Sequence, residues 1–233
     1  GVLRKIPKNC DCRSKEMEKE RKEMEEFEHS MRINRLKSMA FDDDLMYKQT
    51  FEQEDGSLEH KQAGLNYVKH FEDMEKENIG LILTGAVGTG KTYLASSIAN
   101  ALIEKGISVR MTNFGVILND MMNLQIDKNM YIKNLNSNRL LIIDDFGIQR
   151  DTSFALEHIF NIIDSRYRAN KPIIVTTNLS ISHLMNTTDL KEKRIYSRLL
   201  EMATPIIFNG ENHRIKTMRE KAMTANLILM ESR

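Results

Sequence analysis

Residues 81–92 read LILTGAVGTGKT, an apolar run that enters the pattern G-x-x-x-x-G-K-T. Gly85, Gly90, Lys91 and Thr92 occupy the defining positions, with the spacing of a loop that binds nucleotide phosphates. The glycines let the backbone approach the phosphates closely, and the first N–H groups of the next helix point toward negative charge. The alternative is a glycine turn before an ordinary helix, but the complete motif after a strand-like run favours the phosphate loop.

The predicted phosphate loop assigns separate roles to its last residues. Lys91 would reach the β- and γ-phosphates, and Thr92 would ligate Mg²⁺. We expect the nucleotide contacts to come from Gly85, Ala86, Val87, Gly88, Thr89, Gly90, Lys91, Thr92 and Tyr93.

Length and composition limit the class of protein. A chain of 233 residues with 41% hydrophobic residues can bury one main core and carry a small appendage. A formal net charge of +1 supplies no overall field toward nucleic acid, so any such binding must depend on a local patch. Residues 41–59 are strongly acidic, whereas residues 191–221 are rich in lysine and arginine. A basic patch is therefore expected late in the chain.

The same sequence predicts a cytoplasmic protein that does not enter a membrane. No apolar run approaches the roughly 20 residues that span a bilayer, and no signal-peptide pattern opens the chain. Two cysteines are too few for a disulfide scaffold and fit a reducing compartment. Because the first residue is Gly1, the sequence is open to being a fragment.

The two cysteines, Cys10 and Cys12, lie in a short polar leader and leave two interpretations open. A structural zinc site needs about four ligands, so the pair would be the second half of a zinc module that begins upstream. The alternative, which this chain favours, is two free thiols.

The segment that follows predicts one long helix over residues 14–39, since it lacks glycine and proline and is rich in helix formers. Met17, Met24, Phe27 and Met31 form a narrow apolar seam, which either docks on a partner or the main domain, or belongs to a solvated helix. We expect a linker or loop over residues 42–59. The predicted domains are a helical, partner-binding segment at 1–45 and a nucleotide-binding domain at 46–233.

Apolar strands and helical segments alternate beyond the phosphate loop. Strands are predicted at 107–112, 139–145 and 171–178, with helices at 92–105, 114–124 and 153–168 between them. Strands without polar alternation, separated by helices, indicate a parallel sheet covered on both faces. The predicted fold class is therefore α/β.

Asp144 and Asp145 end the apolar run LLIIDD and supply a second half to the nucleotide site. Carboxylates at the C-terminal end of a parallel strand lie where ligands of such sheets collect. Asp144 would hold Mg²⁺ through its water shell, and Asp145 would orient or deprotonate the attacking water. An N-cap or turn is the alternative for an isolated pair.

Several motifs together resemble the AAA+ ATPases of the DnaC and DnaI helicase-loader group, with IstB as a close relative. They are the phosphate loop, LLIIDDFG, DSRYRANKP, VTTNL and IYSRLLEM, and the similarity covers residues 51–215. The resemblance implies a P-loop AAA+ three-layer sandwich with a helical segment before it, ATP and Mg²⁺ as ligands, and a homo-oligomer formed on ATP binding. It also implies that the N-terminal helix, rather than the ATPase core, meets the helicase.

Three further site residues follow from this resemblance. Asn178 resembles the sensor residue that contacts the γ-phosphate or the lytic water, with a strand-ending turn as the alternative. Arg198 resembles the arginine finger that enters a neighbouring subunit's site, although Arg194 competes for that role and a surface ion pair is the plainer interpretation. Arg214 is similar in place to the second sensor arginine, which reads the nucleotide of its own subunit.

Two departures from the family pattern bear on the rate of hydrolysis and on nucleotide affinity. Asp145 stands where many AAA+ enzymes have the longer glutamate, which favours slow turnover. The sequence after Asn212 is short for a helical lid, so nucleotide affinity is expected to depend on assembly.

Three functions therefore remain open at this point. The first is an ATP-driven loader of a replicative hexameric DNA helicase that binds single-stranded DNA. The late basic cluster would supply the track for the backbone, and Phe146 or Tyr167 would supply a stacking face, with a core position as the equal alternative for both aromatics. The second is an IstB-like transposition helper that binds duplex DNA and a transposase. The third is a nucleotide-dependent scaffold that does not hydrolyse ATP.

Overall fold

The structure, a computed structural model, describes residues 11–53, 57–123, 127–147 and 153–230. Within these ranges five strands form one parallel sheet, which confirms the α/β prediction. The strands are β1 (Gly80–Gly85), β2 (Val109–Asn113), β3 (Leu140–Phe146), β4 (Ile173–Thr177) and β5 (Ala203–Phe208).

Helices precede the sheet and connect its strands. In the described ranges they are α1 (Asp11–Ala40), α2 (Leu58–Lys69), α3 (Phe71–Lys76), α4 (Lys91–Glu104), α5 (Phe114–Met122), α6 (Lys128–Ser137), α7 (Ser153–Arg168), α8 (Ile181–Asn186), α9 (Leu190–Met202) and α10 (His213–Met230). A short 3-10 helix, Asp44–Lys48, follows α1.

The strand order β2-β3-β4-β1-β5 brings the polar ends of the central strands together. Thr84 on β1 lies beside Thr177 on β4, and Asn113 on β2 lies beside Asp144 on β3. Because all the strands run parallel, their carboxyl ends share one edge of the sheet, where ligands of such folds bind. The phosphate loop leaves β1 at this same edge.

Helices cover both faces of the sheet and give the three-layer sandwich. On one face α1, α2 and α4 pack on residues such as Leu83 and Ile142. On the other, α5, α6, α7 and α9 pack on residues such as Ile143 and Val175. Burial on both faces explains why these strands read as unbroken apolar runs rather than as alternating ones.

Helix α1 confirms the predicted long helix, but its two ends differ. Ile33 and Ala40, near its C-terminal end, are buried in the same core as α4. The predicted seam of Met17, Met24, Phe27 and Met31 is exposed, at 55–62% of each residue's surface. The seam therefore does not dock on the main domain in this structure. The boundary predicted after residue 45 stays a prediction.

Of the predicted linker or loop over residues 42–59, the first part is a loop with one 3-10 helix that is anchored on the main domain, so it is not a free linker. Phe41 and Phe51 are buried in the core and anchor the segment between them. The Asn100 amide on α4 donates to the Met46 and Gln49 carbonyls, at 2.8 and 2.9 Å. The two aromatic anchors and the hydrogen bonds from Asn100 hold residues 42–50 across α4, and we call this segment the strap.

Beyond Asn212 the described chain forms α10, whose apolar residues are largely exposed. Ile215, Met218 and Leu229 are 45, 61 and 75% exposed. None of the helices in the described ranges has the length and apolar character needed to cross a membrane.

Candidate nucleotide-binding site

The phosphate loop joins β1 to α4 through glycines whose conformations a side chain would oppose. Gly88 has φ +80°, and a Cβ there would collide with the Asn212 side chain. Gly85 has φ +149°, and a Cβ there would collide with the Phe208 carbonyl of β5. Thr89 closes the loop by donating its hydroxyl to the Ala86 carbonyl at 2.9 Å. The glycines thus allow the loop to lie directly against the end of β5 and the chain that follows it.

Lys91, the first residue of α4, is turned back into the loop. Its ammonium donates to the Gly85 and Ala86 carbonyls at 2.8 and 2.7 Å, and to Asn178 Oδ1 at 2.9 Å. Burial lowers the Lys91 pKa, an effect that the charge of Asp145 opposes. All three acceptors are neutral, so an anionic phosphate oxygen would be a stronger partner for this charge.

Thr92 and Asp144 form the part of the site that fits a magnesium ion. The Thr92 and Thr176 hydroxyls both donate to Asp144 Oδ1, at 2.9 and 2.5 Å. Burial raises the Asp144 pKa, and these two hydrogen bonds lower it in part. A hydroxyl and a carboxylate side by side are the oxygen ligands that Mg²⁺ accepts, and a cation would offset the cost of burying the carboxylate.

A bulge at the end of β3 separates the two aspartates. Ile143 pairs with Val175 and Phe146 pairs with Thr177, so β3 carries one extra residue over this interval. Asp145 takes the left-handed conformation with φ +53° and is exposed, whereas Asp144 is buried. Its N–H donates to Thr176 Oγ1 at 2.9 Å. The bulge therefore leaves the Asp145 carboxylate accessible to water beside the buried Asp144.

Asn178 is held in place by the strands on both sides of β4. The Thr177 hydroxyl donates to the Phe146 carbonyl of β3 at 2.7 Å, and the Thr84 hydroxyl of β1 donates to the Leu179 carbonyl at 2.6 Å. The prediction that the Asn178 strand lies beside the Asp144 strand is confirmed. The sensor role itself stays a prediction, now with a contact to Lys91.

The chain before α10 also contacts the phosphate loop. The His213 N–H donates to the Gly88 carbonyl at 2.9 Å, and the Arg214 N–H donates to Asn212 Oδ1 at 3.0 Å. Arg214 is exposed, and its charge is one of the causes that lower the Lys91 pKa, after burial. The structure thus brings Arg214 near the loop, as its predicted role requires.

Other predicted residues lie away from this cluster or outside the described part. Arg198 lies on α9, on the opposite face of the sheet from α4. The Tyr93 hydroxyl donates to the Thr50 carbonyl of the strap at 3.2 Å. Phe146 is 1% exposed and packs between Phe114 and Tyr196, so of its two predicted alternatives the core is confirmed and the stacking face is wrong.

The zinc prediction gains no support. Cys10 lies outside the described residues, and the Cys12 side chain is likewise not described. Among the residues that were described, no group of three or more histidine, cysteine, aspartate or glutamate side chains could hold a metal ion.

A cavity of about 560 Å³ adjoins the phosphate loop, and the sequence did not reveal it. Its lining includes Ser57, His60, Thr89, Asn209, Gly210 and His213. The His60 ring stacks on Phe208, with ring centroids 4.0 Å apart, and its Nε2 lies 3.1 Å from the Ile207 carbonyl oxygen. These residues come from α2, the loop and the end of β5, so no short motif could have indicated the cavity.

Residues 14–221 match the family described as IstB-like ATP binding protein. The chain belongs to this family. The match covers most of the chain and includes the phosphate loop, the β3 aspartates and Asn178.

Two curated relatives are replicative helicase loaders. The chain is similar to DnaI from Bacillus subtilis (strain 168), with 28% identity over 77% of this chain and 62% of the relative. It is also similar to DnaC from Escherichia coli (strain K12), with 28% identity over 63% of this chain and 60% of the relative. The chain therefore spans about six tenths of the length of these relatives.

A solved structure supports the fold. The crystal structure of DnaI superposes with a TM-score of 0.63 at 23% identity, over 76% of this chain and 98% of that chain. The five-stranded parallel sheet with helices on both sides is thus the AAA+ P-loop fold.

Proposed function

We propose that this protein is an ATP-hydrolysing loader of a replicative hexameric helicase, which acts in the cytoplasm and assembles into a homo-oligomer on ATP. The contact of Lys91 with Asn178, next to Asp144, is the observation that carries the nucleotide-switch part of the proposal. The names of the two relatives support the helicase part.

In the proposed reaction, Lys91 and the loop N–H groups bind the triphosphate, while Thr92 and Asp144 hold Mg²⁺. When bound, Mg²⁺ would neutralise charge on the phosphates. A water oxygen attacks the γ-phosphorus, the bond from that phosphorus to the bridging oxygen breaks, and the water proton passes to Asp145. Asn178 orients the water or the γ-phosphate. The products are ADP and inorganic phosphate.

The cavity beside Thr89 is proposed to take the base of the nucleotide. It is continuous with the loop through Thr89, and His60 offers a flat ring already stacked on Phe208. Asn209 and the backbone around Gly210 add polar groups at its edge. A mostly preformed cavity with an aromatic surface and a few polar groups suits a purine.

The partner contacts are proposed on surfaces away from the loop. The exposed apolar seam of α1 suits a groove on the helicase, since the rest of this helix is charged. Single-stranded DNA is proposed to follow the basic residues of α9, including Lys191, Lys193 and Arg194. Tyr167 is half-buried and donates its hydroxyl to Glu201, which leaves it a limited role in stacking.

Reconstitution with the host helicase would test this function. We expect the chain to bind the helicase with ATP and Mg²⁺ and to release it after turnover in the presence of single-stranded DNA. Loss of helicase binding when Met24 and Phe27 on α1 are both changed to serine would support the seam as the surface that contacts the helicase. Retained binding by that variant would contradict the assignment of the seam.

An IstB-like transposition helper is the second candidate, because the family description carries that name. A specific complex with a transposase on duplex DNA, with no helicase binding, would favour it. The third candidate, a scaffold that does not hydrolyse ATP, would be favoured if turnover stayed absent at high protein concentration and Asp145→Ala behaved as wild type.

A further inference from the structure

Arg198 is held by a carboxylate of the neighbouring helix. Its Nε lies 2.7 Å from Asp164 Oδ1 on α7, and the Arg198 side chain is 26% exposed. The Asp164 side chain is only 13% exposed and also pairs through Oδ2 with Arg168 Nε, at 2.9 Å. An ion pair this shielded from water fixes geometry better than an exposed one, which contributes little.

An aromatic ring completes the support around Arg198. The guanidinium carbon lies 4.8 Å from the centroid of Phe160 and 5.8 Å from that of Tyr167. Arg194 lies over the same Phe160 ring at 4.3 Å, but its side chain is exposed. Arg194 and Arg198 are both candidates for the arginine finger, and Arg198 is the one that pairs with Asp164.

The contacts of Arg198 involve Nε and Nη1 of its guanidinium, and its side chain stays partly exposed. Nε pairs with Asp164 Oδ1 by charge and distance but without hydrogen-bond geometry, whereas Nη1 donates to the Arg194 carbonyl at 3.2 Å. Within the described residues, Arg198 Nη2 makes no hydrogen bond. A planar guanidinium anchored at Nε can still present its far edge to a phosphate without losing the anchor.

We propose that Asp164 is the positioning residue for Arg198, and that Phe160 supports it from the ring face. This inference rests on the proposed function, in which Arg198 enters the site of a neighbouring subunit. Asp164 touches no nucleotide. It fixes the orientation in which Arg198 meets the γ-phosphate across the interface, so that little side-chain freedom is lost when the subunits assemble.

The first test is the turnover of Asp164→Asn, measured against protein concentration at saturating ATP. We expect kcat to fall about 10-fold, with ATP binding by the isolated subunit unchanged. Asp164→Glu, which restores the charge, should recover part of the rate. The matched control is Glu157→Gln, which removes an exposed carboxylate from the same helix and should leave kcat unchanged. An unchanged kcat in Asp164→Asn overturns the proposal.

A mixing experiment separates this proposal from the finger itself. Subunits with Arg198→Ala keep the phosphate loop, and subunits with Asp145→Asn keep the finger. Mixed together, they should recover hydrolysis that neither shows alone. Adding Asp164→Asn to the Asp145→Asn subunit should lower that recovered hydrolysis about 10-fold. No recovery in the first mixture contradicts the finger, and equal recovery in both mixtures contradicts only Asp164.

Folding of the variants is checked by thermal unfolding. If Asp164→Asn does not fold, Phe160→Leu loosens the same support without changing charge. We expect it to lower kcat several-fold with ATP binding retained. A wild-type kcat in Phe160→Leu would overturn the proposal on its own.

Discussion

Lys91 Nζ and Asn178 Oδ1 lie 2.9 Å apart, although 87 residues separate them in the chain. The contact exists because β1 and β4 are neighbours in the sheet and both end at the same edge. A γ-phosphate would compete with Asn178 for the Lys91 ammonium, since a charged acceptor binds it more strongly. We therefore expect occupancy of the loop to change the contact at the end of β4, where Asn178 lies.

Lys91→Ala should weaken ATP binding by about 10- to 100-fold, the range for losing a hydrogen bond to a charged group. Titration with a fluorescent ATP analogue measures the change. Lys69→Ala is the control, because Lys69 is exposed at the far end of α2. Equal affinities for the Lys91 variant and wild type would refute the phosphate loop assignment.

Asn178→Ala should keep ATP binding within a few-fold of wild type and lower kcat at least 10-fold, because the lost amide would act on the water or the γ-phosphate. Single-turnover hydrolysis of bound ATP separates these two quantities. Asn186→Ala, at the exposed end of α8, is the matched control. A variant with weak binding and normal kcat would place Asn178 in nucleotide binding instead.

Much of the fold could be predicted from local patterns. The apolar runs at β1, β3 and β4 marked buried parallel strands, and the phosphate loop motif fixed the start of α4. These predictions succeeded because each depends on a short, continuous stretch with one strong preference. The same holds for Lys91, Thr92 and Asp144, which the motif and the sheet edge place together.

What the sequence could not predict depends on contacts between distant segments. Phe41 and Phe51 anchor the strap in the core, although its acidic composition had indicated a linker or loop. The cavity beside Thr89 needs α2 and β5 to meet at the loop. The sequence left Phe146 open between a stacking face and the core, and the bulge at Asp145 is what returns its side chain to the core.

Substitutions of Asp145 should change the free energy of unfolding and abolish ATP turnover. A non-glycine residue in the left-handed region costs of order 1 kcal/mol, so Asp145→Gly should be about 1 kcal/mol more stable than Asp145→Ala. Both variants should lose hydrolysis, because neither can accept the proton. Denaturant unfolding and ATP turnover measure the two effects. Equal stability of the two variants would contradict a strained backbone at this position.

Asp144 should make the stability of the nucleotide-free protein depend on pH. Burial raises its pKa above the usual 3.8, so the folded protein binds this proton more tightly than the unfolded chain. Its contribution to stability is therefore lost as pH rises from 3.8 through the raised folded pKa.

Asp144→Asn removes this charge and keeps an oxygen that can accept from Thr92 and Thr176. In EDTA we expect the variant to be more stable than wild type at pH 7, and the difference to vanish below pH 3.8. Urea unfolding across this range measures it. Asp73→Asn, whose side chain is 83% exposed, should change stability by less than about 0.5 kcal/mol. A variant less stable than wild type at pH 7 would show that the Asp144 charge stabilises the fold even without Mg²⁺.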